Sequence, residues 1–132
     1  MRNFAVAAFA AALSFSALPA LAHHSGSMFE PVKTVTLSGT VKEFQYTNPH
    51  SWLIIDVLDK DGKVTTWGFE AEGPGTLTRS GIHKGDLAPG TRVTMTAHPM
   101  KDGRTAGEWI KLVRADGKVF VPQPKAKYGG GF

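Results

Sequence analysis

The sequence predicts an all-β domain with one short helix, and three observations lead there. Val35, Leu37, Gly39 and Val41 alternate with Thr34, Thr36, Ser38 and Thr40, the period of a half-buried strand. Val93, Met95 and Ala97 alternate in the same way with Arg92, Thr94 and Thr96. Between the two blocks the period breaks at Pro74, which suits the first position of a helix, and Gly81 offers its stop.

The first strand begins near Lys33. Its apolar phase moves from odd to even positions at Phe44 and Tyr46, so a bulge or bend is expected, with Gly39 a natural place for it. Thr47-Asn48-Pro49-His50 is a turn. Trp52 to Leu58 is apolar on both faces and reads as a central strand; Asp59-Lys60-Asp61-Gly62 turns the chain into a strand from Val64 to Glu70. After the helix, Asp86 to Gly90 reads as a loop. The fourth strand ends at a His98-Pro99-Met100-Lys101-Asp102-Gly103 turn, the fifth runs from Glu108 to Arg114, and Asp116-Gly117 closes a last small hairpin over Lys118 to Val121. Three strands, a short helix and two strands is the order of an OB-fold-like five-stranded antiparallel barrel, whose corner a long bent first strand would supply. The competing arrangement is an open antiparallel sheet with a covering helix.

The start of the chain has a different character. Met1-Arg2-Asn3 is a short basic region, Phe4 to Ala17 is apolar and alanine-rich, and Ala20-Leu21-Ala22 is a small-x-small cleavage pattern. Residues 1–22 are therefore expected to be a secretory signal peptide and the mature protein periplasmic. The rest divides into an N-terminal arm, 23–32, a barrel domain, 33–121, and a tail, 122–132, too rich in glycine and proline to bury a core. No second apolar stretch has the length of a membrane span. With no cysteine, disulfides and thiolate metal sites are excluded. The net charge of +4 is spread along the chain without a basic stripe, so nucleic acid is not an expected partner.

Cleavage after Ala22 would leave a free amine on His23, and that amine and the imidazole of the same residue can chelate one ion together. There are five histidines: His23, His24, His50, His83 and His98. In the expected topology His50 lies between the first and second strands and His98 between the fourth and fifth, loops that meet at one end of such a barrel. His23, His24, His50 and His98 are thus candidate metal ligands, with Met100 able to add a thioether. Nitrogen-rich, sulfur-poor donors favour copper over zinc. The ordinary alternative is that His50 and His98 are surface residues beside turn prolines.

Other candidates are weaker. Asp59-Lys60-Asp61-Gly62 lacks the oxygen donor and glycine a calcium loop needs at its fifth and sixth places, which are Lys63 and Val64. Phe44, Tyr46, Trp52, Trp67, Phe69 and Trp109 could make a stacking platform, but a small barrel fills its interior with such rings. Ser51 follows His50 directly and points to the opposite face of a strand. Glu70 and Glu72 share a face, as an acid–base pair would, and a solvated sheet edge explains them equally. No enzyme is expected.

Several short motifs carry a family resemblance: His23-His24-Ser25, Met28-Phe29-Glu30, residues 35–41, Asn48-Pro49-His50, Trp67, Pro74, residues 77–81, Pro89-Gly90 and Lys101-Asp102-Gly103. Together they resemble the DUF6152-like family of small exported bacterial proteins of unknown function. Where such relatives carry tryptophan before Asn-Pro-His, this chain has Tyr46. The resemblance implies an exported, β-rich protein and no particular activity; it directs attention to His23, His24 and His50. The expected function is a periplasmic ligand-binding protein taking copper through these histidines. A metal-free module, binding a peptide, glycan or envelope partner through loops and aromatics, is the alternative.

Overall fold

A computed structural model describes residues 28–122. The leader, His23, His24 and all but the first residue of the tail lie outside the described residues. The elements run β1 (Val35–Gln45), β2 (His50–Leu58), β3 (Val64–Glu72), α1 (Pro74–Arg79), a 3-10 helix (Lys84–Leu87), β4 (Arg92–Pro99), β5 (Ala106–Arg114) and β6 (Val119–Phe120).

The first strand serves two partners. Val35 to Thr40 pair with β4, and Thr40 to Gln45 pair with β2. The phase shift read in the sequence is a bulge, but it falls between Val41 and Glu43, at Lys42 and not at Gly39. It keeps both halves facing inward, with Val41 and Phe44 buried on either side of it. Gly39 has another role. A β-carbon there would run into the carbonyl oxygen of Asp56, so only glycine permits this approach of β1 to β2.

The sheet order is β3-β2-β1-β4-β5-β6, and an added β3–β5 pairing closes the first five strands into a barrel. The open-sheet alternative is thereby removed, and the OB-like order holds. One feature differs from expectation: the closing pair is parallel, joining Gly68, Phe69 and Glu70 to Ala106, Gly107 and Glu108, so the barrel is mixed and not wholly antiparallel. β5 uses its first half for this seam and Leu112 and Val113 for the short β6 hairpin.

Leu53, Ile55, Phe69, Met95, Trp109 and Leu112 fill the interior. The helical connection adds Leu77, Ile82 and Leu87, all fully buried in the same core. Tyr46 fixes this connection. Its hydroxyl lies 2.8 Å from the Ile82 carbonyl, 3.2 Å from that of Pro74 and 2.9 Å from the Thr78 hydroxyl, so one ring end ties β1 to both ends of the α1 segment. Asp86 and Leu87, expected at the start of a loop, instead end a 3-10 turn over Lys84–Leu87, whose entry is held by the Asp86 carboxylate accepting the His83 backbone N–H at 2.8 Å. That hydrogen bond, more than any other influence, keeps Asp86 below its ordinary pKa.

The chain enters the barrel along the end of β4. Phe29 bridges to Met100, the Glu30 N–H donates to the Pro99 carbonyl at 2.9 Å, and the Lys101 N–H donates to the Met28 carbonyl at 3.0 Å. Proline at position 99 supplies no N–H, but its carbonyl still holds the incoming strand.

Candidate ligand site on the outer face

Alternation along β2 places Ser51, Leu53 and Ile55 inside and His50, Trp52 and Ile54 outside. The register then sets His50 opposite Glu72 and Trp52 opposite Glu70. Across the parallel seam Glu70 stands beside Glu108, and Glu108 is opposite His98 on β4. One outer row thus reads Trp52, Glu70, Glu108, His98, with His50 at its margin.

Glu70 is the unusual member. Read from sequence it is half of an acid–base pair or, equally, a solvated sheet-edge carboxylate; in the fold its side chain is only 6% exposed, and the His50 Nδ1 lies 3.0 Å from its Oε1. Carboxylates are rarely buried without a partner, and here the imidazole is that partner. With Nδ1–H donating to Glu70, the lone pair of a neutral ring lies on Nε2. A carboxylate that fixes ring orientation and tautomer in this way is the usual support of a metal-ligating histidine.

The other candidates divide. His50 and His98 were expected in loops; each instead lies in a strand, at the first position of β2 and near the end of β4. They share the outer surface but stand about three strand spacings apart, ~14 Å along the sheet, too far to meet on one ion. The His98 Nδ1 lies 2.7 Å from the Lys33 carbonyl oxygen and fastens the incoming arm. His83 belongs to the 3-10 turn, its ring 3.4 Å from Asp86. Among the described residues no three His, Cys, Asp or Glu side chains gather as a metal-binding group. His23 and His24 lie outside those residues.

A groove of about 650 Å³ opens beside this row, lined by Met28, Trp52, Met100 and residues 103–106. Of the six aromatics singled out in the sequence, Trp52 is the one the core did not take. Phe44, Phe69 and Trp109 are buried, while Tyr46 and Trp67 pack against the core from its margin. The Trp52 ring instead lies over Gly68, whose missing β-carbon would sit 3.4 Å from its Cε3. The strand period alone assigns Trp52 to the outer face; the groove needs the β4–β5 turn and Met28, which no local pattern brings there.

Comparison with known proteins adds the following. Residues 11–110 match the model of a family described as a family of unknown function (DUF6152). No curated protein matches. Among solved structures, the dimeric N-terminal domain of the PriB protein from Thermoanaerobacter tencongensis is similar, at 18% identity and a TM-score of 0.48, over 62% of this chain and 94% of that one.

Proposed function

The chain belongs to a family of unknown function, DUF6152, and on that footing we propose that it is an exported, periplasmic ligand-binding protein whose ligand is copper. The observation that supports this is the buried Glu70 carboxylate set against the Nδ1 of a half-exposed His50. Cu(II) would be held by the terminal amine and imidazole of His23, by His24 and by the Nε2 of His50, a nitrogen-rich set that suits this ion. Glu70 is a positioning residue in this arrangement. His98 is left out, because its ring fastens the arm far from His50.

Chain length permits the assembly. Met28 lines one groove with Trp52, which lies two residues along the same face from His50. The five residues from Met28 back to His23 span up to ~17 Å. Ligation needs an unprotonated amine and neutral imidazoles, so Cu(II) affinity should fall as pH drops below neutrality.

The second reading, a metal-free module, draws on the Trp52 groove for a peptide or glycan. One comparison separates the two. Cu(II) EPR of the protein beginning at His23 should show several coordinated nitrogens, and a version with one alanine before His23 should lose the amine–imidazole chelate. Identical spectra for the two proteins, or no Cu(II) uptake by either, would overturn the copper reading.

A further inference from the structure

Two of the chain's four methionines line the groove beside Trp52. Met95 is fully buried inside the barrel and is explained by packing. Met28 is half-buried where the chain enters the fold, and Met100, itself buried, stands at the start of the β4–β5 turn and lines the same groove as Trp52. The backbone fixes the two relative to each other: Phe29 bridges to Met100, and the Lys101 N–H donates to the Met28 carbonyl at 3.0 Å. Two thioethers and an indole, without a thiolate or carboxylate on the lining, form a soft donor set. Thioether sulfur selects Cu(I) over hard cations, and the indole is the best aromatic face for a cation. Arg104 also lines the groove, but its charge is opposed on the same turn: its Nε donates to Asp102 Oδ2 at 2.7 Å.

We infer that this groove is a second copper site, in which the sulfurs of Met28 and Met100 hold Cu(I) against the Trp52 ring. The inference deepens the copper reading and rests on it for the identity of the metal; the donors themselves are independent of the histidines. The histidine set takes the harder Cu(II) and the thioether set the softer Cu(I), on one face of the barrel. The groove is wide for a single ion, so a third donor, water or a side chain, enters from its open side.

The probe is Ag(I), a monovalent soft cation without redox chemistry under these conditions, added to the protein that begins at His23. Binding should shift the methyl NMR signals of Met28 and Met100, leave that of Met95 in place, and change the fluorescence assigned to Trp52 by comparison with Trp52→Phe. Met28→Leu and Met100→Leu should each weaken Ag(I) at least ten-fold, and neither should change the Cu(II) spectrum. The alanine extension before His23 should do the reverse. Unmoved methionine methyls, or unchanged Ag(I) affinity in Met28→Leu, would overturn the inference; Met28 is half-buried, so this variant serves even if Met100→Leu fails to fold. Loss of Cu(II) binding with Ag(I) binding intact would remove the histidine site alone. Binding of a peptide or glycan that moves the Met28 and Met100 methyls, without any Ag(I) response, would overturn the inference and assign the groove to the metal-free module.

Discussion

Glu70 and His50 meet on the outside of the barrel, 3.0 Å apart, with the carboxylate covered and the imidazole partly open to solvent. The direction of the pairing matters. Nδ1 faces inward to the fixed carboxylate, so the ring is oriented from below, and in the proposed site Nε2 is the nitrogen that would meet the ion.

Replacing Glu70 with alanine should therefore weaken Cu(II) binding by on the order of 10–100-fold, the usual effect of removing the partner of a ligating histidine. The check is a competition titration against a chelator, with circular dichroism to confirm the fold. Parent-like affinity in the variant would take Glu70 out of the site.

Tyr46→Phe removes one hydroxyl that serves Ile82, Pro74 and Thr78. It leaves a carbonyl of the helical connection without its partner, and the expected cost is about 1–2 kcal/mol. Urea unfolding should show a lower midpoint at unchanged slope; a midpoint equal to the parent's would mean that water replaces the hydroxyl without loss.

Gly39→Ala should destabilise, because the new methyl meets the Asp56 carbonyl on a neighbouring strand and neither backbone can yield cheaply. The cost expected is roughly 1–3 kcal/mol. Gly85→Ala is the control: a β-carbon there has no neighbour within 4 Å, so its melting temperature should stay close to the parent's. Equal melting temperatures for the two variants would refute the close approach.

Asp116 governs a pH effect. The Arg114 guanidinium donates to both of its carboxylate oxygens, at 2.6 and 2.9 Å, and holds its pKa at about 2. A carboxyl that ionises more readily in the folded state stabilises that state above its unfolded pKa, near ~4. That contribution is lost as pH falls from there towards 2. Carbon-detected NMR should find Asp116 titrating well below the ordinary aspartate range, and Arg114→Gln should bring it back towards that range. An ordinary aspartate titration for Asp116 in the parent protein would contradict the pairing.

Much of the fold was legible because it is local. The phase shift at Phe44 and Tyr46 announced the bulge, and Pro74 and Gly81 marked the helix. The Asp59 turn was also legible: its carboxylate accepts the N–H groups of Asp61 and Lys63 at 2.9 and 2.8 Å. What escaped depends on distant strands. Alternation places Glu70 outside the barrel correctly, but its burial comes from cross-strand neighbours and from β5, which joins it only through the parallel seam. The bulge position was missed for a related reason: Gly39 is required by the backbone of β2, which its own neighbours in sequence do not reveal. The separation of His50 from His98 likewise follows from two intervening strands that loop adjacency ignores.

The parallel seam has a mechanical consequence. β2 and β3 are zipped by nine residue pairs, whereas β3 and β5 are joined by three. The barrel is thus a ring with one thin clasp, the natural place for it to spring open, and its amides should be among the first strand amides to exchange with solvent. Glu70 is part of that clasp. An ion drawing His50 and the start of the chain together there would act as a rivet across it, so loading the protein should raise its melting temperature and slow exchange at Gly68 to Glu70 before anywhere else.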